Sequence, residues 1–202
     1  NGTLNVVGSG LVVVAGNDTN SVTVTGSVAD VAATIVTVQY TGDAEFAGAD
    51  TLTIDADDLG NFGSGGVQTD SQTVDITVTA INDDPVWTVP GSPESPLEDV
   101  QTSITGISVL DVDADDGTAP FITLTLAAGS GTINVTASGS AVVTNNDTAS
   151  VTVTGTVDDA SNTAATLAYT STQDYSGSDT ITLTANDGGN TGTGGGTDIE
   201  ET

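Results

Sequence analysis

The segment NDTNSVTVTGSV, Asn17–Val28, decides the fold, because it returns almost unchanged as NDTASVTVTGTV at Asn146–Val157. Val22, Val24 and Val28 take alternate positions with threonine between the first two, and two-residue alternation marks a half-buried β-strand. The displacement of 129 residues holds on both sides of this segment. GTLNVV at Gly2–Val7 becomes GTINVT at Gly131–Thr136, and YTGDAEFAGADTLTI at Tyr40–Ile54 becomes YTSTQDYSGSDTITL at Tyr169–Leu183. No gap interrupts Gly2–Gly66 against Gly131–Gly195, and about half of these positions are identical. Self-similarity at a fixed period is the signature of a repeat array.

The same alternation predicts strands at Asp50–Asp57, Thr73–Ile81, Ile122–Ala127, Ser150–Val157 and Asp179–Ala185, bounded by Gly, Asn, Asp and Pro. No segment carries a 3.6-residue apolar stripe, so helices are not expected. Many short strands with frequent turns imply an all-β chain of antiparallel β-sandwiches in tandem. The junction is expected at AINDDPV, Ala80–Val86, because Pro85 cannot donate to a strand ladder. The repeat register then predicts a C-terminal part of one domain over 1–84 and a second domain over 85–202. The first would lack its opening strands and the second its closing strand.

Composition narrows the function. The 202 residues include 28 Asp and Glu and no Lys, Arg or His, a net charge of −28. Nucleic-acid binding needs a basic footprint, which this chain does not have. Anionic membrane surfaces are excluded on the same ground, and the longest apolar run, Leu11–Ala15, is far too short to span a bilayer. Without cysteine there are neither disulfides nor thiolate metal sites. Catalysis has only carboxylates and hydroxyls to work with. Two carboxylates suffice for a glycosidase, but such sites are lined with aromatics, and the seven here are scattered singly. A non-enzyme is expected.

The counter-ions left for so acidic a chain are metal cations. Calcium takes six to eight oxygen ligands from carboxylates, amide carbonyls and backbone. Such a shell is easily assembled where a linker meets strand ends. Asn82, Asp83 and Asp84 form the linker, and Glu98 and Asp99 open the second domain. In DVDADD, alternation puts Asp111, Asp113 and Asp115 on one side of an extended segment, with Asp116 following. Asp55, Asp57 and Asp58 end a strand of the first domain, and Asp187 matches Asp58 in the repeat. All of these also suit turns, since Asp and Asn bond their own backbone. Asn17-Asp18-Thr19 and Asn146-Asp147-Thr148 fit both a glycosylation acceptor and a tight turn. Trp87 reads as a core residue or, alternatively, as a sugar-stacking platform.

AINDDPV resembles the cadherin linker, Asp-x-Asn-Asp-Asn-x-Pro, departing from it at Ala80 and Asp84. The block running from Tyr40 through Gly48-Ala49-Asp50-Thr51, and its copy from Tyr169, is similar to the bacterial cadherin-like and VCBS-type repeats of giant surface proteins. LEDVQTSITGISVLDVDADD, Leu97–Asp116, resembles the opening of those repeats. The resemblance implies Ig-like sandwiches strung end to end with calcium at each junction. By carry-over Asn82, Asp83 and Asp84 would be linker ligands, Glu98 and Asp99 the acidic entry pair, and Asp111, Asp113 and Asp57 loop ligands. The departure at Ala80 argues for one or two ions per junction. The expectation is therefore a calcium-stabilised spacer segment of a large extracellular or cell-surface adhesin, bacterial in type, partnered by neighbouring repeats. The alternatives are a filament or surface-layer subunit built by strand exchange between copies, and a carbohydrate-binding module.

Overall fold

A computed structural model describes residues 1–60, 64–91, 94–114 and 122–189 and the backbone of 199–201. The chain divides into two compact units, Asn1–Ala80 and Ile81–Thr202. The division falls ahead of the expected one at Pro85, because Asn82 and Asp83 make their hydrogen bonds inside the second unit. Both units are mostly antiparallel strand, with one short helix each.

Unit 1 contains β1 (Gly2–Asn5), β2 (Val13–Ala15), β3 (Thr23–Thr25), α1 (Val28–Ile35), β4 (Gln39–Gly42), β5 (Gly48–Asp57) and β6 (Thr69–Val78). Its strands form three pairs: β1 with β4, β2 with β3, and β5 with β6. Unit 2 contains β7 (Val86–Thr88), β8 (Thr102–Ser103), β9 (Ser108–Leu110), β10 (Ile122–Ala128), β11 (Gly131–Asn134) and β12 (Val142–Thr144). It continues with β13 (Ser150–Gly155), α2 (Val157–Ala164), β14 (Ala168–Ser171), β15 (Ile181–Asn186) and β16 (Ile199–Glu201). Here a five-stranded sheet runs β12-β13-β10-β15-β16, a three-stranded sheet runs β11-β14-β8, and β7 pairs with β9.

The strands sit where alternation predicts them. β10 reads Ile122-Thr-Leu124-Thr-Leu126, and its three large apolar side chains have no exposed surface. They pack with Trp87, Val109, Ile133, Val151, Val153, Leu167 and Leu183 in one core. β15 pairs with β16 in the register Leu183 to Glu201, which is the register Ile54 to Gln72 of β5 and β6 moved by one repeat. The closing strand, expected wholly beyond Thr202, thus has its first paired residues at Ile199–Glu201.

The helices correct the expectation of an unbroken strand through Val28 and Val157. Each starts at that valine and lasts two turns, too short for a readable apolar stripe. Its signal is a cap instead: the Ser27 hydroxyl accepts from the Asp30 N–H, and the Thr156 hydroxyl from the Asp159 N–H, both at 3.2 Å. Such caps satisfy a backbone donor that the first helical turn leaves open. Gly10 (φ 65°) and Gly139 (φ 54°) lie where a Cβ would run into the Asp30 and Asp159 carboxylates.

A second repeated device explains the NDT motif. Asn146 accepts from the Val135 N–H at 2.9 Å and donates to the Val135 carbonyl at 2.8 Å, as a neighbouring strand would. Asn17 does the same to Val6 at 3.0 and 2.9 Å. Asp18 and Asp147 follow at φ 61°, a left-handed conformation that aspartate tolerates. With both ends of the amide engaged in the fold, these asparagines act as turn clamps.

Candidate metal centre

The site is built in unit 2 from three distant stretches of sequence. Ile81–Asp84 leads into β7, Asp111 and Asp113 follow β9, and Asp187 follows β15. Strand pairing brings the first two stretches together, since Val86 stands opposite Leu110 in the β7–β9 pair. One carboxylate oxygen from each of Asp111, Asp113 and Asp187 lies within 4.8 Å of the others. All three residues are buried, at 4, 6 and 2 % exposure.

Short hydrogen bonds fix their orientation. The Asp111 Oδ1 accepts from the Asp113 and Ala114 N–H groups at 3.3 and 3.1 Å. The Asp113 Oδ2 accepts from the Asp83 N–H at 3.0 Å, and the Asp187 Oδ1 from the Gly189 N–H at 2.8 Å. Asn82 donates its amide to the Asp187 Oδ2 at 2.6 Å. Among the described residues, the buried oxygens at this place that make no hydrogen bond include the Asp111 Oδ2 and the Asn82 Oδ1.

Electrostatics make the arrangement costly as it stands. Burying a carboxylate without a compensating charge is strongly unfavourable, and neighbouring carboxylates repel. Burial pushes the Asp111 carboxyl up to about 7, and the Asp113 carboxylate beside it pushes the same way, against the two backbone donors. No lysine, arginine or histidine exists in the chain to neutralise the cluster. Only a proton or a bound cation can do so. The three aspartates meet the spatial requirement for holding a metal ion, and with the Asn82 Oδ1 they offer oxygen donors alone.

The structure gathers some of the expected ligands and separates others. Asn82, Asp111 and Asp113 belong to the cluster, and Asp83 joins it through its backbone. The Asp83 and Asp84 side chains are exposed. Asp115 lies outside the described residues. Asp99 accepts from the Asp174 N–H and donates its own N–H to Ser171, which places it, with the adjacent Glu98, at the turn that precedes β15. Asp187 follows the other end of β15, and six strand residues span roughly 20 Å. Glu98 and Asp99 therefore do not share this centre. Asp57, in unit 1, is the exposed last residue of β5, and its Oδ1 accepts from the Leu59 N–H at 2.6 Å. Its counterpart Asn186 makes the same bond to Gly188.

Asp187 is the member of the cluster that the sequence reading left outside its chosen set. Its local sequence, Asn-Asp-Gly-Gly, reads as a turn, and its partners are 74 to 105 residues away. The usable signal was the repeat, which aligns it with Asp58 at the end of an acidic strand. Trp87 is 7 % exposed within the core, which leaves no ring face for stacking a sugar. Among the described residues no helix is long and apolar enough to cross a membrane. No family model matches the chain, and neither does any curated protein or any solved structure.

Proposed function

We propose that the Asp111–Asp113–Asp187 cluster binds calcium, and that the chain is a calcium-stabilised structural segment of a large extracellular or surface protein. The observation that carries the proposal is the convergence of three buried carboxylates in a chain without a single cationic side chain. Calcium suits the donors, because all are hard oxygens and none is the nitrogen or sulfur that zinc or copper would favour. Asn82 and the Asp83 backbone tie the entry segment to the same cluster, so an ion there would brace the start of unit 2 against the end of β15.

The 129-residue period and the resemblance to cadherin-like and VCBS-type repeats support a tandem array of Ig-like sandwiches, bacterial in type, serving as a spacer. A structural role accords with a chain whose acidic residues gather at strand ends and turns. Extracellular modules hold calcium with dissociation constants on the order of 10⁻⁴–10⁻³ M. At a free concentration about a hundredfold above that constant, binding would stabilise the folded unit by about 2.7 kcal/mol. Calorimetric melting checks this directly. The unit 2 transition should rise with calcium and fall in EDTA, while equal monovalent salt leaves it in place. A transition indifferent to EDTA, or raised equally by sodium chloride, would remove calcium from the reading.

A further inference from the structure

The carboxylate cluster has a fixed charge as well as a fixed place. Asp111, Asp113 and Asp187 bring three negative charges together, and none of the three residues is more than 6 % exposed. The chain has no Lys, Arg or His to offset any of them. Asn82, the other side chain at this place, is neutral. Its amide nitrogen donates to the Asp187 Oδ2 at 2.6 Å and to the Asp83 carbonyl at 3.2 Å, which leaves its buried Oδ1 for an ion. The Asp111 Oδ2 is also buried without a hydrogen bond, and a polar atom so placed points to a ligand.

We propose that the cluster is matched in charge to a trivalent, oxygen-seeking cation, and that lanthanide ions occupy it more tightly than calcium. Resting on the reading of the cluster as a metal centre, this preference goes beyond it by naming the class of ion held best. A divalent ion leaves one negative charge uncompensated in a buried place, which is costly. A trivalent ion leaves none. It gives up more hydration on entering, and three carboxylates acting together where water screens little offset that loss. Ligand charge count and rigidity set affinity at oxygen sites of this kind. Rigidity comes from the N–H groups of Asp83, Asp113, Ala114 and Gly189, which hold the carboxylates in place. Lanthanides share calcium's taste for hard oxygen donors, so the extra charge is what separates the two.

The test sets terbium against calcium on the intact chain. Trp87 is the chain's single tryptophan and stands opposite Val109, two residues before Asp111. Two strand residues span about 7 Å, so the indole can pass its excitation to terbium in the cluster. Indole-sensitised emission should saturate at one equivalent, and calcium should halve it only at about a hundredfold excess or more. Asp187→Asn removes one of the three charges and should shrink that excess by about tenfold. Asp58→Asn, the matched change in unit 1, should leave it as it is. Half-displacement by an equal concentration of calcium would overturn the proposal and leave the calcium reading standing. Emission that climbs without saturating, and is unmoved by Asp187→Asn, would put terbium on exposed carboxylates and overturn it too. No sensitised emission, with a melting transition indifferent to both ions, would overturn the proposal and the calcium reading together.

Discussion

Val28 and Val157 open the same helix in two copies of one motif, yet the first is 88 % exposed and the second 3 %. The contrast separates what neighbouring residues determine from what distant ones do. Helix caps, asparagine clamps and strand pairs recur in both units with nearly equal distances. Burial does not recur. In unit 2 the apolar faces of β13, α2 and β15 close over β10, whereas the corresponding faces of unit 1 are largely open. Local order here depends on short-range hydrogen bonding, and the core of unit 2 on distant stretches brought together, Trp87, Ile104, Ile107 and Val109 packing with β10, β13 and β15.

The largest effect should come from trimming the same position in both units. Leu183→Ala empties a buried site, and such changes cost about 2–5 kcal/mol. Ile54→Ala, its counterpart, removes a side chain that is nearly half exposed and should cost under about 1 kcal/mol. Denaturant melts of the two variants check this. Comparable losses would mean that unit 1 has a core of its own and would break the comparison.

A second pair sharpens the comparison at the metal centre. With calcium about a hundredfold above its dissociation constant, Asp187→Ala should forfeit the roughly 2.7 kcal/mol that binding supplies. The matched variant Asp58→Ala should leave the calcium-dependent shift of unit 2 intact. Asp58 is exposed and spends one oxygen on the Gly60 and Gln68 N–H groups, at 2.8 and 2.9 Å. In EDTA the Asp187→Asn variant should be at least as stable as the parent, because it removes one buried like charge. Calorimetry of the three variants, with and without chelator, reads all of this.

The smallest effect should be the same in both units. Ser27→Ala and Thr156→Ala each delete a cap acceptor, a loss of about 1 kcal/mol of helix stability in either case. Hydrogen exchange within α1 and α2 measures it. Unequal losses would show that the helices rely on packing after all.

Much of this was legible from alternation and period. DTLTIDAD, TVDITVTA, ITLTLA and DTITLTA all fall within or overlap observed strands. The two helices escaped because VADVAATI and VDDASNTA are only two turns long and begin on a valine that completes the preceding alternation. DVDADD made the nearness of Asp111 and Asp113 readable, since their contact is local. Asp187 was hidden by distance, and Asp99, close in sequence to the linker, makes its hydrogen bonds at the turn before β15 and not at the cluster. The strand β15 carries the chain from one to the other.

The Asn82–Asp187 hydrogen bond joins residues 105 positions apart. Closing so long a loop is entropically expensive until the strands between have formed, and contacts of this kind arise late in folding. The cluster therefore has no existence in a half-formed unit, and an ion that binds it cannot guide the chain toward its fold. It acts afterwards, on escape. Calcium should leave the refolding limb of a chevron plot unchanged and lower the unfolding limb. The metal would set how long the unit lasts, and the strands how fast it forms.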